Sequence, residues 1–598
     1  MARVERRLNV ARRSAGALAV VALLAASSCG SDDDAADGDG TEAVETVAPG
    51  DSSPVPTDAE DSDAPTSTDS DEPASTDSDG AASTGSDGPA TTDAESGGSG
   101  GAMDGGEVAG LDEIDPSQPL IWAARTMPRS LNPHLSPFTG GSIPGLTMLH
   151  DRLTYTDPRT GELGPMIATE WEANEDGTAI DFTLRQDVTF HDDGSPVDAE
   201  AVVANFDYGK ALGPAHPESS GYALIDSAEV VDEWTVRYNL AGEYAGAIPE
   251  LMSGGLGIPV NPTSFDREDD AEYDAGTGPY VVESIRPGQE IVQVPYDGYY
   301  DPSAQTVSEL TILLVEEDDT LINGIATGQI DAGSVSGTAA VRAEASDLQV
   351  VDNVGNTAWA MLINTERTQM EDPRVRTALN MAIDRQAIAD GPLQGNCVPT
   401  VQPWNEGHPG YNPDYPADYY PYDPEGAKAL LAEAGFPDGL SFEIDTYTIP
   451  SYTPVAEVMQ AQLNQAGFDV TINQLDTANL SPGFRTEKTL DTWFTRTPFG
   501  QPPIDSITGY WLPDGQGNPG GLSIPAIDEL GAQVLAETDP EAQAALLKDI
   551  SAAVVEAPSS ILIMCHDRSF SIGTDDVVGL DPFSAGYMDF RTMGKRSS

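Results

Sequence analysis

From Gly30 to about Pro116 the chain contains no lysine, no arginine and no aromatic residue. Asp, Glu, Ser, Thr, Gly, Ala and Pro make up almost all of this stretch, and that composition cannot bury enough apolar surface to offset the entropy of ordering it. Echoes such as Ser75-Thr76-Asp77-Ser78-Asp79-Gly80 and Ser83-Thr84-Gly85-Ser86-Asp87-Gly88 are low complexity, not a folded repeat. Residues 29–117 are therefore expected to form a disordered acidic Ser/Thr/Asp/Gly linker, held extended by its own charge. A folded body has to come from the residues C-terminal to this linker. Order is expected to begin near Leu120-Ile121-Trp122-Ala123-Ala124, an apolar run of strand length.

The residues N-terminal to the linker form an address. Arg3, Arg6, Arg7, Arg12 and Arg13 lead into an apolar and small-residue run, Ala15 to Ala26, which is the pattern of a signal peptide over residues 1–28. The run is shorter than the ~20 residues needed to cross a bilayer. It ends in Leu24-Ala25-Ala26-Ser27-Ser28-Cys29-Gly30, which resembles the lipobox of bacterial lipoproteins, with Ala26 where Leu or Val is usual. That resemblance implies lipid on Cys29 and an extracytoplasmic chain anchored to the cell membrane, and it leaves the export route open. The net charge of −71, from 99 acidic and 28 basic residues, argues against nucleic acid as a partner.

In the body, Ala179–Leu184 and Trp234–Tyr238 alternate with period two and read as half-buried strands, whereas Ala199–Phe206 and Ala427–Ala434 carry apolar residues at helical spacing. Gly435 is placed to stop the second helix. Mixed elements over about 480 residues predict an α/β or α+β body large enough for two lobes. Asp192-Asp193-Gly194-Ser195-Pro196 is turn chemistry, and Asp198 stands where it can cap the helix after it. Asp372 before Pro373 reads as another N-cap with proline at N1. His191 reads as a packing or hydrogen-bonding residue, and Arg376 and Arg385 as partners of acids across domain surfaces.

Several of these segments resemble the family 5 extracellular solute-binding proteins, which include oligopeptide, dipeptide and nickel receptors of ABC importers. Phe182-Thr183-Leu184-Arg185-Gln186-Asp187-Val188-Thr189-Phe190-His191-Asp192-Asp193-Gly194-Ser195-Pro196 and its continuation to Val202 are close to a family signature. Ser130-Leu131-Asn132-Pro133-His134, Gly276-Thr277-Gly278-Pro279-Tyr280, Ile325–Asp331 and Asp372–Arg385 occur in the family order. The resemblance implies an α/β, two-lobed periplasmic-binding-protein-like fold of the large cluster C type, with an extra subdomain and hinge closure over the ligand. Its parts would be lobe I from 118–145, 276–357 and 565–598, an accessory subdomain over 146–275, and lobe II over 358–564. It implies a monomer with no cofactor, no resident metal and no catalytic residue, working with ABC permease subunits.

The ligand-lining residues it implies are Thr126, Met127 and Arg129 at the first strand exit, with Trp404, Arg485, Trp493, Arg496, Phe499 and Gly500 on the second wall. Trp359 and Trp511 are further candidate wall aromatics. Gly500 falls where peptide-binding relatives carry an aspartate for the peptide ammonium, and Arg496 suits a carboxylate or phosphate. The ligand is thus expected to be an oligopeptide or another, anionic solute. An exported hydrolase or a sensor of the same fold are the rival readings. No G-x-S-x-G, H-E-x-x-H or phosphate-loop motif supports a hydrolase. Three cysteines are too few for a disulfide scaffold, and Cys397 and Cys565 can be bridged or free.

Overall fold

The structure is a computed structural model that describes residues 111–136, 138, 143–213, 216–265, 275–499, 503–580 and 588–597. The expected signal peptide, Cys29 and most of the expected linker lie outside the described residues. The linker's end departs from expectation. Leu111–Glu113 form a turn of 3-10 helix, Ile114 bridges to Arg596, and Asp115 N–H donates to the Lys595 carbonyl at 2.8 Å. Side chains fix the start of the body: Asp115 accepts from Ser117 Oγ at 2.6 Å, and Arg596 pairs with Glu113.

The centre of the body is a nine-stranded sheet in the order 492–498, 349–363, 561–573, 332–335, 119–124, 309–314, 290–295 and 280–286, with 397–399 paired off this path to 561–573. Pro119–Ala124, the apolar run that opens the body, pairs in parallel with Glu309–Leu314 and with Ala332–Val335. Two long strands run through the middle. Gln349–Ile363 pairs antiparallel with Ile561–Gly573, and the register breaks between Val354 and Ala358. Cys397 and Cys565 form a disulfide across this sheet.

A separate four-stranded antiparallel sheet joins Ala168–Ala173, Ala179–Leu184, Thr235–Leu240 and Ile225–Asp232. The Ala199–Leu212 helix packs on it, capped by Asp198, which accepts from Ala201 N–H at 2.9 Å. Asp372 caps Pro373–Met381 with proline in the first turn. Gly435, at φ +108°, comes just after the Pro424–Glu433 helix, in a left-handed conformation that favours glycine.

Arg376 and Arg385 depart from the sequence reading. Both are buried and donate to backbone carbonyls: Arg376 to Met370 at 2.8 Å and Glu371 at 2.7 Å, Arg385 to Ile563 at 2.9 Å and Thr400 at 3.1 Å. Five fixed donors let a guanidinium tie several loop carbonyls inside the fold, where a surface acid would reach only one face. His191 is a hydrogen-bonding residue as expected, 2.8 Å from the Gly278 carbonyl.

Candidate functional site

The expected lining residues fall into three places. Thr126 is exposed at the end of the first strand, while Met127 and Arg129 line a cleft of about 300 Å³ with Ile285, Arg286 and Gly288 of the neighbouring hairpin. Arg286 in that cleft is engaged by Glu290, its Nε donating at 2.6 Å.

The second place is an aromatic wall. The Arg485 guanidinium lies 4.8 Å from the centre of the Trp493 ring, and Trp493 packs against Phe484. Phe499 stacks on Trp511 at 5.9 Å and meets Tyr510 at 5.6 Å, and Trp511 meets Trp404 edge to face at 5.5 Å. All but Arg485 and Tyr510 are buried, and among the described residues the indole Nε1 of Trp404, Trp493 and Trp511 has no hydrogen-bond partner, nor has Arg485 Nε. A buried donor left without an acceptor costs about 1–3 kcal/mol. Four such groups on one wall suit a bound molecule rich in acceptors.

The third place is the strand pair beside the disulfide. Arg496 stands opposite Trp359 in the sheet, and its guanidinium is paired with Asp567. Asp567 also accepts from Trp359 Nε1 at 3.1 Å. Burial pushes the Asp567 carboxyl up, and the Arg496 charge opposes that shift. The cation expected to face a ligand anion thus has a partner within the chain, one that lies 71 positions away and that local sequence could not reveal. Gly500 lies outside the described residues.

Sequence reasoning missed the seam where the 146–275 region meets 358–564. The short helices Ile248–Leu251 and Pro503–Ser506 pack together there. They bring Glu250 toward Asp505, and among the described residues neither carboxylate has an ion-pair partner. Burial, with Asp505 as the nearby charge, raises Glu250 to about 8, and burial with Glu218 nearby raises Asp505 to about 8. Ala245-Gly246-Ala247 at the same seam is a run of small residues, a signal of close approach that the sequence did carry.

Two of the six histidines also meet. Glu218 N–H donates to His216 Nδ1, so His216 Nε2 carries the proton toward His134 Nδ1 at 3.0 Å, and His134 Nε2 donates to Asn205 Oδ1 at 3.0 Å. Burial lowers both histidines, His216 to about 4. Every ring nitrogen of this pair is used, and no group of side chains able to hold a metal ion occurs among the described residues. No described helix is long and apolar enough to cross a membrane.

The model of the bacterial extracellular solute-binding proteins, family 5, matches residues 162–519. The glutathione-binding protein GsiB of Salmonella paratyphi A is 28% identical over 321 residues, 52% of this chain and 61% of that relative. The dipeptide-binding protein of Escherichia coli K12 is 26% identical over 401 residues, 59% of this chain and 71% of the relative. Among solved structures, AgaA of A. tumefaciens R10 in complex with agropinic acid superposes with a TM-score of 0.67 at 22% identity, covering 80% of this chain and 99% of that one. The last likeness shows the fold, an α/β binding-protein architecture.

Proposed function

Because the chain belongs to the bacterial extracellular solute-binding proteins of family 5, we propose that it captures one small solute outside the cytoplasm and delivers it to the permease of an ABC importer. The capturing lobes are 118–145 with 276–357 and 565–598, carrying the 146–275 subdomain, and 358–564. Their hinge is the register break between Val354 and Ala358, where the two long central strands pass from one lobe to the other. A protein of this kind works as a monomer and needs no cofactor or catalytic residue.

The observation that carries the reading, beyond family membership, is the aromatic wall. Trp404, Trp493 and Trp511 offer buried N–H groups with no acceptor among the described residues, and Arg485 adds a cationic donor. That set favours a solute rich in carbonyl or carboxylate oxygens, as in an oligopeptide or another, anionic solute. Arg496 is paired with Asp567, whereas Arg485, whose Nη1 donates to Gln516 Oε1 at 3.4 Å, has no acid partner among the described residues and takes the anion-facing role. Cys29 would carry the lipid that holds the chain at the cell membrane after removal of residues 1–28. No observation favours a hydrolase or a sensor.

Thermal unfolding with and without Ala-Ala dipeptide, reduced glutathione and agropinic acid tests the reading. A bound probe at about a hundred times its dissociation constant adds about 2.7 kcal/mol to stability. An unchanged transition with all three, together with turnover of an ester, peptide or phosphate substrate, would contradict it.

A further inference from the structure

The seam between the 146–275 subdomain and the 358–564 lobe has a feature that capture alone does not require. Gly246 lies against the turn that joins the Pro525–Ala536 and Pro540–Glu556 helices. A Cβ built on Gly246 would stand 1.9 Å from the Glu537 carbonyl oxygen, 2.6 Å from its carbonyl carbon and 2.8 Å from its nitrogen. These are backbone atoms, so no side-chain rotation can make room. Glycine is the one residue that lets the two backbones meet here.

The meeting is fastened by hydrogen bonds. Ala247 N–H, shared with the Tyr244 carbonyl, donates to the Leu535 carbonyl at 3.2 Å. Leu535 is in the last turn of its helix, where carbonyls lack an intrahelical partner. From the other side, Gln543 Nε2 reaches the Gly246 carbonyl at 3.3 Å while also reaching Val534 at 3.3 Å and Glu537 at 3.4 Å. One side chain thus ties both helix ends to the subdomain. Ile248 and Leu251 on one side and Ile504 and Leu535 on the other belong to one buried apolar cluster, which favours the closed seam. Glu250 and Asp505, buried at the same place and without ion-pair partners among the described residues, oppose it once they ionise. The closed seam is therefore a balance of opposed terms.

We propose that Gly246, Ala247 and Gln543 form a backbone latch that holds part of the solute-free population closed, so that the residue at position 246 sets how much of the chain is ready to capture. The latch rests on the capture reading for its purpose. A chain already closed part of the time binds more tightly in proportion to its competent fraction, and a variant held open gives up that factor. Gly246 acts as a positioning residue and touches no solute.

The test is hydrogen exchange on the full chain with no solute added, comparing the parent with Gly246→Ala and Gln543→Ala. In the parent, segments 244–251 and 533–543 are expected to show partial protection, lost together and well before the strands Ala358–Leu362 and Ile561–Ile563 open. Gly246→Ala is expected to speed exchange in both segments by at least about tenfold, and Gln543→Ala by less, with 149–153 and 588–593 unchanged in both. Four results would overturn the latch. The first is protection in the parent as strong as that of the central strands, and the second is full exposure of both segments in the parent. The third is superimposable exchange in parent and variants. The fourth is faster exchange across the whole molecule in Gly246→Ala with no change in Gln543→Ala. Because no solute is present, failure of the latch leaves capture standing, and failure of capture shows separately in the binding probes.

Discussion

Residues 146–275 have two neighbours, and the two contacts are built from opposite materials. Toward the 276–357 and 565–598 regions they offer Asp151, which is fully buried and accepts from Arg591 Nη2 at 2.7 Å and Tyr299 OH at 3.0 Å. Arg591 also holds Asp589 at 3.0 Å, and Tyr155 OH donates to Asp589 at 3.1 Å. Arg152 packs its guanidinium 5.1 Å from both the Phe138 and Tyr155 rings. Two acids and two guanidinium groups balance in charge. The contact with residues 358–564 is built from backbone, the Gln543 amide, apolar side chains and two buried carboxyl groups, Glu250 from one side and Asp505 from the other. A buried balanced network is costly to break, since either half alone is an uncompensated charge in the interior. Backbone hydrogen bonds at a seam can be exchanged for water at little net cost. The first contact is suited to be permanent and the second to open.

Variants that probe this contrast differ in the size of their effects. Arg591→Met leaves Asp151 and Asp589 buried without their cation and should cost about 3–5 kcal/mol in urea unfolding; a loss under about 1 kcal/mol would remove the claim of permanence. Replacing both Cys397 and Cys565 by alanine removes the disulfide that ties the 397–399 strand to the central sheet, and about 2–4 kcal/mol is expected to go with it. That change should destabilise the central sheet around Cys397 and Cys565 without shifting exchange at 244–251. Should it open the latch as strongly as Gly246→Ala does, the seam and the central sheet are one unit.

The open seam has its own signature in pH. Glu250 and Asp505 are both raised to about 8, so the folded chain holds protons that the unfolded chain releases above about pH 4 to 5. Stability from this pair is thus fully present in acid and falls as pH rises, until both are ionised above about 8. Glu250→Gln should flatten that fall and leave the variant more stable than the parent at pH 8 by at least about 1 kcal/mol. A parent whose stability rises from pH 5 to 8, with the variant parallel to it, would show that burial does not hold these carboxyls protonated. The smallest effect is a control. Arg342 pairs with Asp319 at 3.0 Å on the exposed surface, and Arg342→Ala should change stability by no more than about 0.5 kcal/mol.

What the sequence made legible was local. Asp198, Asp372 and Gly435 each do what their own neighbours in the chain require, so capping and stop signals located three helices. The strand at Pro119–Ala124 and the signature around Phe182–Val202 were readable for the same reason. Contacts made across the sheet left no such trace. Arg376 and Arg385 look like surface cations in one dimension and tie core carbonyls in three. Arg496 looked free because its acid stands on a strand far along the chain. Gly246 sits in a run of small residues that marks a close approach, but which backbone approaches it, that of Glu537, is set far along the chain.

Native mass spectrometry of the full chain, equilibrated with a cell or medium extract and then freed of unbound material, is the decisive test of capture. A capturing chain should give a population heavier by a single small solute, one per chain, released on denaturation and depleted when Trp493 and Arg485 are replaced by alanine. Only the bare mass of the chain from every extract, or a solute held equally well without Trp493 and Arg485, would contradict it.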